Sequence, residues 1–390
     1  MSLSRRAFVQ TLGIGAAGAL TGSFIGSRGR EASLFGVEPL FAAGTNPIIL
    51  GSNENPTGPG QTVLNAIKAA FGPTGAGPGR YPFAFEGDLI DALAKKFNVK
   101  AENVLLGCGS TQILRTSAQV ITSKTRQLVG SIPTYEECAG YAALIGSPVK
   151  GVPMTTDFRI DLDATLAAAR GAGLVFYCNP NNPTATAVGA KPTRDFIAQL
   201  NKTSPETTVL IDEAYFDYVT DPAYETMIPL ALENPRVVVA RTFSKAYGMA
   251  GLRVGYAIAN AQTIKAMADW ESGGSLNLLG LHAALATITD ATRLKAESDR
   301  NTAARQFTID WFKKNGYVPT DSQTNFLFVD IKRPVKGFRD ACRDMGVIVA
   351  RDFPPYEKSH CRISIGTMEE MKTAVEVFGK VLAMPAKAAA

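Results

Sequence analysis

A serine, a lysine and an arginine stand close together after a strongly apolar run of this 390-residue sequence. Residues 241–253 read Arg-Thr-Phe-Ser-Lys-Ala-Tyr-Gly-Met-Ala-Gly-Leu-Arg, and residues 237–240, Val-Val-Val-Ala, predict a buried strand before them. A lysine that is partly desolvated at the end of such a strand has a lowered pKa, so its neutral amine is a nucleophile. Ser244 and Arg253 can donate hydrogen bonds to a phosphate. The segment therefore predicts a site that binds an aldehyde through Lys245 and a phosphate beside it.

The spacing of these residues narrows the ligand to pyridoxal 5′-phosphate (PLP). PLP carries an aldehyde and a phosphate on one flat ring, which suits a nucleophilic Lys245 with Arg253 eight residues further on. Gly248 and Gly251 are expected to let the backbone turn tightly and approach the ligand. A bare Ser-Lys pair would more simply be a solvated lysine after a strand, but the full pattern Ser-Lys-x-x-Gly-x-x-Gly-x-Arg favours the cofactor site.

Composition argues against several other classes of function. The net charge is +5 without a long Lys/Arg run, so we expect no nucleic-acid partner. The two histidines, His282 and His360, argue against a multi-histidine metal site and weaken a Ser-His-Asp site. Five scattered cysteines cannot all pair, so buried thiols are expected. The length suggests two domains.

The first residues are typical of an export signal. Arg5 and Arg6, followed by Phe8, precede a Gly- and Ala-rich apolar stretch at 11–25, which resembles a twin-arginine signal. We assign residues 1–43 to a signal and linker, and expect a periplasmic protein with no stable membrane span in its mature form. A membrane-anchored protein, or a cytoplasmic one that keeps an amphipathic or disordered N-terminus, is the alternative.

Two further predicted strands end in polar side chains. Asp-Glu-Ala-Tyr at 212–215 follows the strand 208–211, and Asn-Pro-Asn-Asn-Pro-Thr at 179–184 follows the strand 174–178. A buried acid is costly unless it is paired, and a charged pyridine nitrogen would suit Asp212. Tyr215 and Asn182 could hold the ring oxygen. A helix cap or a structural ion pair is the alternative for Asp212.

Three more residues could complete a cofactor site. Gly-Cys-Gly at 107–109 joins the strand 104–106 to a helix that begins near Ser110 and Thr111, and such a helix start presents free N–H groups to an anion. Tyr135, after the strand 127–131, could cover one face of a flat ring or could fill the core. The glycine turn lacks the third glycine of a dinucleotide fingerprint and the Gly-Lys-Ser/Thr of a P-loop.

Candidate substrate-binding residues lie far apart in the sequence. Arg362, at the head of the predicted strand 362–365, could bind a carboxylate through two hydrogen bonds, and Arg351 is a second candidate. Asn53 lies in the Gly- and Pro-rich loop 51–59, which suits recognition. Tyr81 follows the glycine-rich loop 72–79. Surface charges and a packing tyrosine are the alternatives.

Helices and strands are expected to alternate along most of the chain, which predicts an α/β fold. Besides those above, we expect helices at 61–71, 86–97, 136–145, 162–169, 193–201 and 261–271, and strands at 149–153 and 254–259. Helices at 276–289 and 291–315 would lead to a second domain with strands 325–329 and 347–349 and helices 334–345 and 368–382.

Together these motifs resemble those of the fold type I PLP-dependent aminotransferases, most closely the histidinol-phosphate aminotransferase family. The resemblance covers residues 48–382 and rests on the order and spacing of the segments at 179–184, 212–215 and 244–253. It implies a large PLP-binding domain at 76–280, with a mostly parallel seven-stranded sheet flanked by helices, and a smaller α/β C-terminal domain at 281–390. Residues 44–75 would form an N-terminal arm that belongs to the small domain.

The resemblance also implies a role for each candidate residue. Lys245, Asp212 and Tyr215 would be the catalytic group, with Lys245 binding the aldehyde and moving a proton and Asp212 pairing with the ring nitrogen. The other implied contacts are Asn182 and Tyr215 to the ring oxygen, Tyr135 to the ring face, Ser110, Thr111, Ser244 and Arg253 to the phosphate, and Arg362, Arg351, Asn53 and Asn182 to the substrate. Tyr81 would reach the phosphate in a neighbouring subunit, which implies a homodimer with shared sites.

The implied activity is transfer of an amino group between an amino acid and a 2-oxo acid. Two departures from the family pattern are Ala185, where a glycine is usual, and the segments Val-Ala-Arg at 349–351 and Phe-Pro-Pro at 353–355. The second departure alters the side-chain end of the pocket, and an export signal does not suit cytosolic histidine synthesis, so an aromatic or other amino acid is as open as histidinol phosphate. A PLP-dependent decarboxylase, racemase or lyase is the alternative enzyme, and a binding module of the same fold is the alternative outside catalysis.

Overall fold

The structure, a computed structural model, describes residues 47–271 and 273–385. After a short first strand, β1 (Ile48–Leu50), the chain builds a seven-stranded sheet. Its strands are β2 (Val104–Gly107), β3 (Leu128–Ile132), β4 (Val149–Pro153), β5 (Leu174–Cys178), β6 (Thr208–Asp212), β7 (Val237–Thr242) and β8 (Gly255–Ala259). They lie in the order β2-β8-β7-β6-β5-β3-β4, and within this sheet only β8 runs antiparallel to its neighbours. The predicted mostly parallel sheet is confirmed.

The central strands are buried on both faces because their sequences are apolar at nearly every position. All residues of β5, β6 and β7 are buried, as expected for parallel strands covered by helices. Successive side chains point to opposite faces, so Ile211 and Val239 join one core cluster while Leu210 and Val238 join another. The same alternation decides which side chains at the strand ends face the functional cavity.

Helices connect these strands and cover the sheet. They are α1 (Gln61–Ala70), α2 (Phe83–Phe97), α3 (Gly109–Ile121), α4 (Glu137–Leu144), α5 (Leu162–Ala168), α6 (Ala190–Thr203), α7 (Ile228–Glu233), α8 (Ala261–Ala268) and α9 (Leu278–Thr287). The alternation of strand and helix is the one that the sequence predicts for an α/β fold.

The C-terminal part has a separate core. Its elements are α10 (Ala291–Lys314), β9 (Phe326–Asp330), α11 (Val335–Asp344), β10 (Val347–Val349), β11 (His360–Ser364) and α12 (Met368–Ala383). β9 and β11 pair antiparallel, and β1 pairs parallel with β10. Phe312, Phe338 and Phe378 are buried in this core. The pairing of β1 with β10 joins the N-terminal arm to the C-terminal strands, while the predicted domain boundaries stay predictions.

Several local predictions need correction. Two elements, β1 and α7, were not expected. β1 has only three residues and pairs with a strand far along the chain. Arg362 is the third residue of β11 and not its head. All five cysteines are free, and Cys108 is exposed whereas the other four are buried. Cys108 occupies the N-cap position of α3, at the surface end of a turn.

The predicted export signal lies outside the described residues. Among residues 47–271 and 273–385, no helix combines the length and the apolar composition that crossing a membrane requires.

Candidate active site

A cavity of about 280 Å³ lies at the carboxyl ends of β5, β6 and β7. In open α/β sheets this edge is where ligands bind. Every predicted site residue except Tyr81 lines it. The other lining residues, to which the sequence analysis gave no individual role, are Ser52, Glu54, Thr134, Cys178, Ala214, Thr242, Ala250 and Phe353. Cys178 and Thr242 end β5 and β7, so the strand-end rule that found Asp212 could have found them too.

The amine of Lys245 faces into the cavity. Its Nζ donates to the carbonyl oxygen of Ser52 at 3.1 Å and lies 5.9 Å from the ring centroid of Tyr215. Burial lowers the pKa of Lys245 to about 8, and the nearby cation Arg362 acts in the same direction. A substantial share of the amine is therefore neutral near pH 8, as a nucleophile or a base requires.

Asp212 lies across the cavity from this amine, at the end of β6. The residue is 3% exposed, and its Oδ1 accepts from the backbone N–H of Ala214 at 3.1 Å. Burial raises the pKa of Asp212 to about 7, although Lys245 works against that rise. A buried carboxylate of this kind suits a cationic partner such as a protonated ring nitrogen.

Two amides converge on the hydroxyl of Tyr215. Asn53 Nδ2 donates to it at 3.1 Å and Asn182 Nδ2 at 3.4 Å. Burial raises the pKa of Tyr215, so the phenol keeps its proton at neutral pH. Ser364 accepts from the backbone N–H of Asn53 at 2.8 Å and donates to its Oδ1 at 2.9 Å. The structure thus uses the Asn53 side chain to orient Tyr215.

The start of α3 forms an anion-binding end of the cavity. Cys108 provides no side-chain cap, so the first N–H groups of the helix stay open beside Ser110 and Thr111. Arg253 Nη1 donates to Ser244 Oγ at 3.3 Å. Gly109 has φ +71°, and a Cβ there would lie 2.2 Å from Arg253 Nη2, so glycine is needed for this close approach.

The two glycines of the segment 241–253, Gly248 and Gly251, have different surroundings. Gly248 has φ +71°, and a Cβ there would lie 2.2 Å from the carbonyl oxygen of Gly58. Its task is to let the 51–59 loop pack against the segment. A Cβ at Gly251 would meet no protein atom within 4 Å, and its approach to a ligand stays a prediction.

Tyr135 is partly buried at the cavity wall. Burial raises the pKa of its phenol, whose hydroxyl interacts with the side chain of Thr111 at the start of α3. This contact links a ring that could cover a flat ligand to the end of the cavity that could hold a phosphate.

Arg362 is the buried cation of the cavity. Its Nη1 donates to Asn182 Oδ1 at 2.7 Å and its Nη2 to the carbonyl oxygen of Gly51 at 2.5 Å. Its Nε is buried without a hydrogen-bond partner among the described residues. Burial lowers the pKa of Arg362 to about 10, which still leaves a cation at neutral pH. A carboxylate would supply the acceptor that Nε lacks.

Arg351 is already paired at the open end of the cavity. Its Nη2 donates to a carboxylate oxygen of Glu136 just before α4, and its Nη1 donates to the carbonyl oxygen of Asp352 at 2.9 Å. Its guanidinium also lies 4.5 Å from the ring centroid of Phe353. Unlike Arg362, it therefore presents little free charge to a ligand.

Tyr81 is not part of the cavity of its own chain. Its side chain is 82% exposed and stacks on Phe83 with ring centroids 5.5 Å apart. The structure thus brings twelve of the thirteen predicted site residues together and leaves this one at the surface.

The residues present fit PLP. An amine with a lowered pKa lies near a buried acid, an uncapped helix start lies beside Arg253, and an aromatic ring borders the space between them. The Nε of Arg362 is buried and has no hydrogen-bond acceptor among the described residues. The arrangement therefore has separate places for a ring nitrogen, a phosphate and a substrate carboxylate.

Comparisons with known proteins agree with this chemistry. The chain matches the family model for aminotransferase class I and II over residues 45–378. A histidinol-phosphate aminotransferase of Moorella thermoacetica is 35% identical over 341 residues, which are 86% of this chain and 86% of that protein. An aromatic amino acid aminotransferase of Rhodococcus jostii is 34% identical over 336 residues, which are 85% of this chain and 90% of that protein.

A solved structure extends the likeness to three dimensions. The histidinol-phosphate aminotransferase from Sinorhizobium meliloti, crystallised in complex with PLP, is 29% identical and has a TM-score of 0.79, covering 86% of this chain and 90% of that one. The predicted fold, cofactor and class of reaction are thereby confirmed. The chain belongs to the aminotransferase class I and II family and is a PLP-dependent aminotransferase.

Proposed function

We propose that this aminotransferase uses an aromatic amino acid as amino donor and a 2-oxo acid as acceptor. The observation that carries the proposal is the Glu136–Arg351 pair, which neutralises the cation at the open end of the cavity. The ring centroid of Phe353 lies 4.5 Å from the guanidinium carbon of Arg351 and 4.7 Å from that of Arg362. A substrate side chain would meet this ring and a paired cation, which favours an aromatic group over a phosphate.

Arg362 is proposed to bind the carboxylate of the substrate. Its guanidinium is fixed by Asn182 and Gly51, and its buried Nε has no acceptor among the described residues. Fixed donors lose little freedom when a carboxylate binds, which strengthens the contact. The same contact would place the amino group of the substrate towards Lys245.

Lys245 is proposed to move the proton in the reaction. Bound PLP supplies an aromatic ring that accepts electron density from the bond broken at the substrate Cα. Lys245, with its pKa lowered to about 8 by burial, can take the proton from Cα and return it at C4′. Asp212 would hold a proton on the ring nitrogen, and Tyr215, whose hydroxyl accepts from Asn53 Nδ2, would donate to the ring oxygen.

A homodimer with shared active sites is also proposed. Tyr81 lies outside its own cavity and is 82% exposed beside Phe83, which is 58% exposed. Two stacked rings at the surface are costly to leave in water, and a second copy of the chain would cover them. The hydroxyl of Tyr81 would then contact the phosphate in the partner's cavity.

Export of the folded protein to the periplasm is the last element of the proposal. Arg5, Arg6 and Phe8 precede a Gly- and Ala-rich apolar stretch, and we propose that they direct the folded protein to the periplasm. A pathway for folded proteins suits an enzyme whose cofactor site forms only in the folded state.

Replacing the lysine tests the catalytic assignment. Lys245→Ala should abolish the visible absorption of covalently bound PLP and lower turnover by at least about 10²–10⁴-fold, because both the covalent link and the general base are lost. Lys265→Ala, at an exposed lysine paired with Asp269, is the matched control and should behave as the parent. Normal turnover in Lys245→Ala would refute the role.

A half-reaction screen tests the substrate class. Each amino acid and histidinol phosphate would be added to the PLP enzyme at equal concentration, and the loss of cofactor absorption would be timed. Aromatic amino acids should react at least about tenfold faster than glutamate or histidinol phosphate, since tenfold corresponds to ~1.4 kcal/mol. Equal or faster reaction of histidinol phosphate would favour that substrate instead.

Breaking the ion pair tests the reason for this preference. Glu136→Gln should free Arg351 and raise kcat/KM for glutamate relative to phenylalanine by about tenfold, an effect of ~1.4 kcal/mol. Glu137→Gln, which breaks the neighbouring exposed pair with Arg115, is the matched control and should leave the ratio unchanged. An unchanged ratio in Glu136→Gln would show that the pair does not set specificity.

Mixed dimers test the shared site. Tyr81→Phe should weaken PLP binding by about 10-fold or more, the loss of one hydrogen bond to a charged group. A heterodimer of Tyr81→Ala and Lys245→Ala chains would contain one site with both residues intact, so mixing the two impaired proteins should restore activity. If Tyr81 acts within its own chain, mixing restores nothing.

A reporter fusion tests export. Residues 1–43 fused to a reporter that folds in the cytoplasm should carry it to the periplasm, and the change of Arg5 and Arg6 to lysine should block that transfer. Reporter activity confined to the cytoplasm with the native segment would contradict the proposal.

A further inference from the structure

A buried ion pair lies directly behind Asp212. Glu213 and Arg241 have side chains that are 1% and 7% exposed. Glu213 Oε2 accepts from Arg241 Nε at 2.9 Å and from Arg241 Nη2 at 2.7 Å. The carboxylate also accepts from Thr226 Oγ1 at 2.8 Å and from the backbone N–H of Met227 at 2.8 Å. Four donors on one buried carboxylate fix its position.

The pair lies on the reverse side of the strand ends from the cavity. Successive side chains point to opposite faces, so Glu213 turns away from the cavity that Asp212 lines. The guanidinium carbon of Arg241 lies 3.8 Å from the ring centroid of Phe216 and 5.2 Å from that of Phe97. Neither Glu213 nor Arg241 lines the cavity, so the pair does not contact a ligand there.

The pair also ties together the two strands that carry the catalytic residues. The backbone N–H of Glu213 donates to the carbonyl oxygen of Ala240 at 2.9 Å, where β6 ends beside β7. Asp212 precedes one member of the pair, and the lysine segment follows the other. Any shift of the pair would therefore change the separation between Asp212 and Lys245.

We propose that the Glu213–Arg241 ion pair positions Asp212. The positive charge of Arg241 also offsets the negative charge of Glu213, so that Asp212 can stay ionised opposite a ring nitrogen. This inference rests on the role proposed for Asp212. Burial is the main cause that raises the pKa of Asp212 to about 7, and the negative charge of Glu213 acts in the same direction. Removing Arg241 would leave Glu213 unopposed, and removing the charge of Glu213 would leave Arg241 unopposed.

The two changes therefore have opposite expected signs. Arg241→Gln should raise the pH at which Asp212 ionises, and Glu213→Gln should lower it, whereas a purely structural pair would give losses of the same sign. The ionisable groups that interact electrostatically with Asp212 are Glu213, Lys245, Cys138, Cys178, Tyr135 and Tyr215. Those that interact with Arg241 are Glu213, Asp217, Lys96, Tyr224, Tyr247 and Tyr256.

Binding of pyridoxine 5′-phosphate to the full-length apoenzyme provides the test. This ligand has the ring nitrogen and the phosphate but no aldehyde, so Lys245 forms no bond with it. If binding needs the Asp212 carboxylate, affinity should fall as pH falls through about 7, the pKa of that group. We expect Arg241→Gln to move this decline to higher pH by about one unit and Glu213→Gln to move it lower by a similar amount, the scale of one neighbouring charge.

Three control variants separate the possible causes. Asp212→Asn should abolish the part of the decline due to Asp212 and leave the part due to the ligand. Arg241→Lys keeps the charge and should keep the decline near its original pH, which also serves if Arg241→Gln does not fold. Arg236→Gln breaks the exposed Arg236–Glu206 pair, 3.1 Å long, near the opposite ends of the same strands and should shift nothing.

The outcomes distinguish this inference from the role of Asp212 itself. A decline that persists unchanged in Asp212→Asn overturns the assignment of Asp212. If the decline is lost in Asp212→Asn, the other variants test the pair. No shift in Glu213→Gln and Arg241→Gln, or shifts in the same direction, overturns the positioning role of the pair. If Arg241→Gln does not fold, a shift of the decline in Arg241→Lys overturns it. Opposite shifts, with Arg241→Lys close to the parent, support it.

Discussion

The active site depends on holding an acid and an amine in one buried space. Burial disfavours both charges, so it raises the pKa of Asp212 to about 7 and lowers the pKa of Lys245 to about 8. Each group works against the shift of the other. Both are thereby able to change protonation state near neutral pH, which surface carboxylates and amines do not do. A bound cofactor ring with a protonated nitrogen would pair with the acid, and the amine would then be available as a base.

The sheet explains how these groups come to face each other. Parallel strands place their carboxyl ends along one edge, so Cys178, Asp212 and Thr242 arrive together although they lie far apart in sequence. The C-terminal strands add Arg362, and the loop after β1 adds Asn53. Polar contacts between these parts, such as Arg362 to Asn182 and Asn53 to Tyr215, join the two cores across the cavity.

Much of this arrangement could be predicted from the sequence because strong local signals mark it. Glycine, proline and polar residues after apolar runs identified the strand ends, and the family pattern supplied the order of the motifs. Contacts made by the backbone leave no such signal, so the carbonyl of Ser52 near Lys245 could not be foreseen. Nor could the neutralisation of Arg351 by Glu136, because the partners are distant in sequence and only the fold brings them together.

The hydrogen bonds between Asn53 and Ser364 span 311 positions of the chain. During synthesis, the residue that fixes the loop after β1 therefore leaves the ribosome long after the loop itself. Closing so large a loop adds only slowly to the entropy that folding must overcome, since that entropy grows with the logarithm of loop length. The order of events is nonetheless imposed: until β11 has been synthesised, the loop after β1 lacks the two hydrogen bonds with Ser364 that fix Asn53.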